Sequence, residues 1–202
     1  MSMSPSGPSP EKPPPGATDP LEAESGVVAR LDFTQVYAEH FEFVWRFAAH
    51  RGVPEGALDD VVQETFLVVH RQLHGFLGRS TLRTWIAGIT RNVLRTYLRK
   101  RGNQAVGDPL DDAAEVPSLE PMPLEALEQK SASELLDFIL GKMTDTQREA
   151  FILCEVEGLS AAETADALGI NENTMRTRLH DARKVFNTVA ARLRAQQAWS
   201  LR

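Results

Sequence analysis

The sequence predicts an all-α fold made of two small helical domains joined by a flexible acidic linker. Apolar residues recur at spacings of three and four on both sides of a middle segment, which is typical of amphipathic helices. We find no convincing alternation of apolar and polar residues that would indicate a strand. The middle segment, residues 102–130, contains four prolines and has one basic and seven acidic residues, a net charge of -6. This composition is typical of a linker.

The chain divides into five parts by composition. Residues 1–30 are rich in Pro, Ser and Gly, and we expect a disordered tail there. Residues 31–101 form the first predicted domain, with ten basic and seven acidic residues, and residues 131–195 form the second. Residues 196–202 are predicted to be a C-terminal tail. The acidity of the whole chain, net charge -6, therefore lies mainly in the linker, while the first domain is basic.

The bulk composition excludes several classes of protein. A single cysteine, Cys154, allows neither an internal disulfide nor a cysteine-based zinc site, which suits a reducing cytoplasm. No apolar run approaches the roughly 20 residues that cross a bilayer, so we expect no membrane insertion. The N-terminus has no apolar region typical of a secretory signal.

Three helices are predicted in the first domain. The segment "FTQVYAEHFEFVWRFAAHRG", residues 33–52, has an apolar stripe and ends before Pro54. Residues 57–73 form the second helix, with two aspartates close to its N-terminus. After the loop at residues 74–81, the third helix begins at Leu82. Its apolar residues predicted to face inward are Leu82, Trp85, Ile86, Ile89, Val93, Tyr97 and Leu98. Its polar residues predicted to face outward are Arg91, Asn92, Arg95, Thr96, Arg99 and Lys100.

Helix-capping signals organise the second domain. Thr144 with Gln147, and Ser160 with Glu163, have the spacing of capping boxes. Asn171 can cap the helix that comes after it. The result is a short helix, a tight turn with a glycine and a longer helix, which is the layout of a helix-turn-helix.

The last helix has the composition of a DNA-recognition helix. Between residues 172 and 194 it carries six basic and two acidic residues, and one face is polar. Side chains near its N-terminus can reach base edges in a major groove, while Arg and Lys neutralise phosphates. The polar face comprises Asn173, Arg176, Thr177, His180 and Lys184. The alternative is a solvated basic face on an ordinary helical domain.

The segment "GRSTLRTWIAGITRNVLRTYLRKR", residues 78–101, carries seven positive charges and no acid. Arginines at 91, 95 and 99 can follow a nucleic-acid backbone, and the preceding loop can offer a pocket to an unstacked base. The alternative is a basic helix that is merely soluble or that binds an acidic protein.

Enzymatic chemistry has little support in the sequence. His70 and His74 lie four residues apart, but no third metal ligand is evident. Cys154 lies in an apolar helix, where packing is the simpler role. We find no Gly-rich phosphate loop and no nucleophile elbow, and we expect no enzyme and no cofactor.

The motifs resemble those of a known family. "DDVVQETFLVVHRQL" and "STLRTWIAGITRNVLRTYLRKR" are similar to conserved region 2 of sigma-70-type RNA polymerase sigma factors. "TDTQREAFILCEVEGLSAAETADALGINENTMRTRLHDARKVF" is similar to their region 4. The two motifs in this order, with a variable linker, resemble the small extracytoplasmic-function (ECF) group. The likeness covers roughly residues 33–101 and 132–195.

The resemblance implies a cytoplasmic sigma factor that binds core RNA polymerase and directs promoter recognition, promoter melting and transcription initiation. It implies core polymerase binding by Asp60, Gln63, Glu64 and Phe66. It implies binding of the minus-ten element by Arg79, Ser80, Thr81, Arg83, Arg91, Asn92, Arg95 and Arg99. It implies binding of the minus-thirty-five element by Asn173, Thr174, Arg176, Thr177, Arg178, His180, Arg183 and Lys184. An anti-sigma factor is a further candidate partner. Family members often have an acid where this chain has Arg79, which bears on the minus-ten sequence preference.

Two other functions remain as alternatives to a sigma factor. The main one is a stand-alone helix-turn-helix transcriptional regulator that binds duplex DNA without joining the polymerase. It would account for residues 144–195 but would leave the surface of the first domain without a role. An enzyme or a helical protein-interaction module is a weaker alternative.

Overall fold

The computed structural model describes residues 31–102 and 130–200, with side chains to residue 196. These residues form helices and short connections without a strand, so the predicted all-α class is confirmed. The α-helices are α1 (Phe33–His50), α2 (Glu55–Gln72), α3 (Leu82–Lys100), α4 (Ala132–Leu140), α5 (Asp145–Phe151), α6 (Ala161–Leu168) and α7 (Glu172–Ser200). A 3-10 turn follows α2 at Leu73–Gly75, and a π-helical segment, Ile152–Val156, continues α5. The predicted tail 1–30 and nearly all of the predicted linker lie outside the described residues.

Helices α1, α2 and α3 form the first half of the structure. Val44, Phe47, Val69, Ile86 and Leu94 have no exposed surface and form the centre of its core. Among the residues of α3 predicted to face inward, Ile86, Ile89 and Leu98 are buried and the other four are half-buried. Ala87, Thr90 and Leu94 are buried as well, although the predicted apolar stripe did not contain them. The burial extends further around α3 because this helix packs on α1 and α2 and also on α6.

The second half, α4 to α7, begins its helices as the capping signals predict. Thr144 and Ser160 each form a complete capping box with the residue three positions later, at the starts of α5 and α6. The Asn171 side chain accepts a 2.7 Å hydrogen bond from the backbone N–H of Thr174 at the start of α7. A third capping box, Ser131 with Glu134, opens α4, which was not identified in the sequence. Helix α7 continues to Ser200, beyond the predicted helix end near residue 196.

Replacing Ser160 with alanine is expected to destabilise the protein by about 1 kcal/mol, because it leaves the N-terminal N–H groups of α6 without their side-chain acceptor. In the native chain Ser160 Oγ accepts from the Glu163 N–H at 3.2 Å and donates to the Glu163 carboxylate at 2.7 Å. Urea denaturation followed by circular dichroism measures the change. Thr96→Ala, which removes an exposed hydroxyl bonded within α3, is the control and should stay within about 0.5 kcal/mol. Equal effects of the two substitutions would contradict the capping argument.

The two halves pack against each other through α3 and α6. Gly88 lies against α6: a Cβ added there would stand 3.2 Å from the Ala167 carbonyl oxygen. Further contacts join α1 to the π-helical segment after α5. Among the described residues, no helix has the length and apolar character needed to cross a membrane.

Candidate nucleic-acid interface

The turn between α6 and α7 fixes the helix-turn-helix geometry. Gly169 ends α6 in the left-handed conformation, with φ 64°, which glycine adopts without steric cost. Its neighbour Ile170 donates its N–H to the Ala165 carbonyl at 3.0 Å. The predicted helix-turn-helix is therefore present.

Helix α7 separates an apolar face from a polar one. Met175, Ala182 and Val189 have no exposed surface, and Leu179 and Val185 are also buried. The predicted recognition residues that are exposed are Asn173, Arg176, Thr177, His180, Arg183 and Lys184. Thr174 and Arg178 are half-buried. Most of the predicted set thus forms one exposed polar surface.

Two arginines of this surface form exposed salt bridges. Arg176 Nη2 lies 2.6 Å from Glu172 Oε1, and Arg183 Nη2 lies 2.6 Å from Glu155 Oε1. The arginine side chains are 68% and 56% exposed. Exposed pairs contribute little free energy, so both guanidinium groups can exchange a carboxylate for a hydrogen-bond acceptor on DNA at small cost.

A second basic surface is formed by the loop before α3 and by α3 itself. Arg79, Asn92, Arg95 and Arg99 are exposed, and Ser80 is half-buried. Thr81 accepts a 3.1 Å hydrogen bond from the Thr84 N–H and so caps α3. The Phe76 ring packs on Trp85 with ring centroids 5.2 Å apart, which ties the loop to the helix.

Three residues predicted for this surface also contact the second half of the structure. Arg83 Nη2 lies 2.8 Å from Glu157 Oε2, and its guanidinium lies over the Phe43 ring at 4.6 Å. Arg91 was predicted to face outward, but its side chain is only 15% exposed and lies 3.4 Å from Glu149 Oε2. The Thr81 hydroxyl is 3.4 Å from Glu163 Oε1.

Helix α2 presents an acidic ridge made of Asp60, Gln63 and Glu64, all exposed. Phe66, predicted to bind the polymerase with them, is 3% exposed and packs its ring on Phe33 and Tyr37. Phe66 lies in the core because its side of α2 faces α1, and its ring therefore packs beneath the ridge. An open groove lies on each side of the ridge. One has Asp60, Glu64, Asn92, Thr96 and Lys100 among its lining residues, and the other has Tyr37, Phe41, Gln63, Leu67 and His70.

The sequence did not identify the charged residues between the two halves. The carboxylate of Glu157 is fully buried and receives Arg46 at 2.9 Å. This hydrogen-bonded pairing raises the pKa of Arg46 above its usual value. Arg51, 1% exposed, lies 3.1 Å from Glu149. In the sequence these acids lie among apolar residues of the second half. A surface position explains such acids equally well, so the sequence does not predict their burial.

His70 and Cys154, which were considered for metal binding and catalysis, make contacts that are typical of packing. The His70 ring packs edge-on against Phe33 with centroids 4.8 Å apart. Cys154 Sγ lies 3.2 Å from Thr164 Oγ1, and burial raises the pKa of its thiol, whereas a nucleophilic cysteine needs a lowered pKa. Within residues 31–102 and 130–200, no three His, Cys, Asp or Glu side chains come together as metal ligands.

Comparisons with known proteins agree with this architecture. Residues 36–104 match the model for sigma-70 region 2, and residues 133–185 match a model for sigma-70 region 4. The chain is 27% identical over 186 residues to the ECF RNA polymerase sigma factor SigE of Mycolicibacterium smegmatis, covering 92% of this chain and 72% of the relative. It is 29% identical over 170 residues to the RNA polymerase sigma factor CnrH of Cupriavidus metallidurans, covering 81% and 88% of the two chains.

A solved structure has the same fold. The sigma factor RpoE from Bartonella quintana, in complex with the anti-sigma factor NepR, aligns with a TM-score of 0.62 at 23% identity. The alignment covers 79% of this chain and 97% of that one. Since the two region models together span more than half of the residues, the chain belongs to the ECF group of the sigma-70 family of RNA polymerase sigma factors.

Proposed function

We propose that three separate surfaces of this sigma factor bind core RNA polymerase, the minus-ten element and the minus-thirty-five element. As a sigma factor the chain binds core RNA polymerase and directs it to promoters. The stand-alone regulator is not favoured, because it would leave α1, α2 and α3 without a role. The observation that carries the division of roles is the presence of two separate basic surfaces, on α3 and on α7, with an acidic ridge on α2.

The proposed surface for the minus-thirty-five element is the polar face of α7. The helix-turn-helix leaves the first turns of α7 exposed, and a recognition helix contacts base edges with these turns. Asn173, Thr177 and His180 supply donors and acceptors there. Arg183 and Lys184, one turn further on, are placed for phosphates. Thr174 and Arg178, being half-buried, flank the contact surface.

The proposed surface for the minus-ten element is the loop at residues 78–81 with the exposed side of α3. Asn92, Arg95 and Arg99 follow one another along the helix and can track the phosphates of a melted strand. Arg79 and Ser80 border the loop, where an unstacked base can bind. Binding of the separated strand stabilises the melted promoter, so recognition and melting use the same residues.

The proposed docking surface for core RNA polymerase is the α2 ridge of Asp60, Gln63 and Glu64 with its two flanking grooves. Acidic side chains on a ridge suit a basic partner, and the grooves offer apolar contact through Tyr37 and Leu67, which are 41% and 43% exposed. An anti-sigma factor that covered this ridge would block the polymerase, and we propose such a factor as a further partner.

RNA synthesis itself belongs to the polymerase. The chain is proposed to have no catalytic role and to act in the cytoplasm with that enzyme.

Run-off transcription with purified bacterial core polymerase tests the proposal. The template is a promoter selected from a randomised library by the chain bound to core. Promoter-dependent transcripts are expected only when the chain is present. If the chain neither binds core nor supports initiation, the proposal fails. A specific footprint on duplex DNA without core would favour the stand-alone regulator.

Arg176→Ala and His180→Ala are each expected to weaken binding of the holoenzyme to the selected promoter by about 1–3 kcal/mol, the free energy of one good base contact. Electrophoretic mobility shift at fixed salt measures the change. Arg192→Ala, an exposed arginine further along α7, is the matched control and should have a much smaller effect. A loss as large in the control would place the contact surface elsewhere on the helix.

A further inference from the structure

Leu77, in the loop before α3, is the most exposed of the large apolar side chains that the structure describes. Its relative exposure is 69%, whereas Leu31, Tyr37 and Leu67 are 37%, 41% and 43% exposed. A polar residue at this position would avoid the cost of keeping apolar surface in water. A single exposed leucine is nevertheless common on protein surfaces, so its surroundings must decide whether it has a function.

The loop holds Leu77 in its exposed position. Phe76, just before it, donates its N–H to the Leu73 carbonyl at 3.1 Å, and its ring packs on Trp85. The Phe76 backbone is extended, with φ -70° and ψ 114°, and successive side chains of an extended chain point to opposite sides. Gly78, just after Leu77, turns the chain with φ 68°. Because Phe76 is turned toward α3, Leu77 is directed to solvent.

The charges near Leu77 suit a nucleic acid as the partner. Arg79 is exposed two residues further on, at the start of the proposed minus-ten surface. Between Glu64 and Asp108 the sequence contains no acid. A partner for an apolar tip beside basic side chains combines negative charge with flat apolar surface. Nucleic acid has both, in its phosphates and in the faces of its unstacked bases.

Melting of a promoter creates the apolar surface that Leu77 can cover. When a base leaves the duplex, its neighbours lose a stacking partner, and this unstacking costs free energy. Proteins offset that cost by inserting apolar side chains, leucine among them, against the uncovered bases. Leu77 directly precedes the loop at residues 78–81, where we propose that an unstacked base binds. It is therefore placed beside the position that the base leaves.

We infer that Leu77 is a wedge, whose side chain packs on the base faces uncovered when a base of the minus-ten element enters the loop. This inference rests on the proposed function of that loop. The wedge acts in the melting step, because the bases of an intact duplex cover one another and offer Leu77 no apolar face. Arg95 and Arg99, by contrast, are proposed to bind the phosphates of the strand after melting.

Opening of the selected promoter by the full chain bound to core polymerase tests the inference. Reaction of unpaired thymines with permanganate measures opening. Leu77→Ser is expected to lower the equilibrium constant for opening about tenfold, the factor that covering part of one leucine side chain supplies. Leu77→Met, which keeps an apolar side chain of similar volume, should open the promoter nearly as well as the native chain. On a template with a mismatched, already melted minus-ten region, Leu77→Ser should approach the native level.

The control variant is Leu31→Ser, which removes an exposed leucine outside the three proposed surfaces and should leave opening unchanged. Fluorescence anisotropy should give Leu77→Ser the native affinity for core polymerase, since the wedge contacts DNA. Native-like opening by Leu77→Ser overturns the inference, and so does an equal loss on duplex and melted templates, in the control, or in affinity for core. If the native chain opens no promoter, the proposed function fails and the inference fails with it; opening by the native chain and by Leu77→Ser alike rejects the wedge alone.

Discussion

Neutralising Asp60 and Glu64 together, as Asp60→Asn with Glu64→Gln, is expected to weaken binding to core RNA polymerase by about 2–4 kcal/mol, or roughly 30- to 1000-fold. Both carboxylates are exposed on the α2 ridge, and neither has a salt bridge within the described part of the chain. Their charges are therefore available to a partner. In the double variant, a cation of the partner would lose its water on binding and would have no carboxylate to pair with. Fluorescence anisotropy of the labelled chain, titrated with core enzyme, measures the loss.

The matched control for this prediction is Glu39→Gln with Glu55→Gln, which removes the same charge from exposed positions on α1 and at the start of α2. Run-off transcription at limiting concentration should fall for the ridge variant and stay near the native level for the control. If the two double variants lose equal affinity, the effect comes from net charge alone and the ridge is not the docking surface.

The starts of α5 and α6 could be predicted from sequence because they depend on residues three positions apart. Thr144 with Gln147 and Ser160 with Glu163 satisfy the first N–H groups of their helices in any tertiary context. The same locality explains why the exposed face of α7 was predicted well. Its apolar residues, spaced every three or four positions, define one buried face, and the polar residues opposite them face solvent.

The contacts between the halves could not be predicted in this way. Arg83 and Glu157 are 74 positions apart in the sequence, and their pairing depends on how α3 meets α6. A charged residue in a sequence normally indicates the surface, so the burial of Glu157 had no local signal. Phe66 is a different case: the family resemblance implies that it binds the polymerase, and the structure places it in the core beneath the α2 ridge, 3% exposed.

Arg51→Met is expected to lower the free energy of unfolding by about 3–5 kcal/mol, because it removes one partner of a buried ion pair. The Arg51 side chain is 1% exposed and lies 3.1 Å from Glu149, and its Nη1 also donates to the Asp145 carbonyl at 3.3 Å. Without it, Arg91 at 3.4 Å is the one cation left beside the Glu149 carboxylate among the residues that the structure describes. Urea denaturation of the full chain measures the loss, and Arg71→Met, at an exposed position on α2, should change stability by less than about 0.5 kcal/mol.

A double variant distinguishes the effect of losing the ion pair from the effect of losing the packing of the Arg51 side chain. Arg51→Met with Glu149→Met leaves no uncompensated carboxylate, and Arg91, at the edge of the packed surface, can extend to water. The double variant should therefore recover most of the stability that Arg51→Met loses, since apolar residues of similar volume often replace a buried pair without net cost. Such recovery appears in the double-mutant cycle as a combined loss well below the sum of the losses of Arg51→Met and Glu149→Met. Additive losses would mean instead that Arg51 stabilises the protein by its packing and by its bond to the Asp145 carbonyl, with the Glu149 charge contributing little.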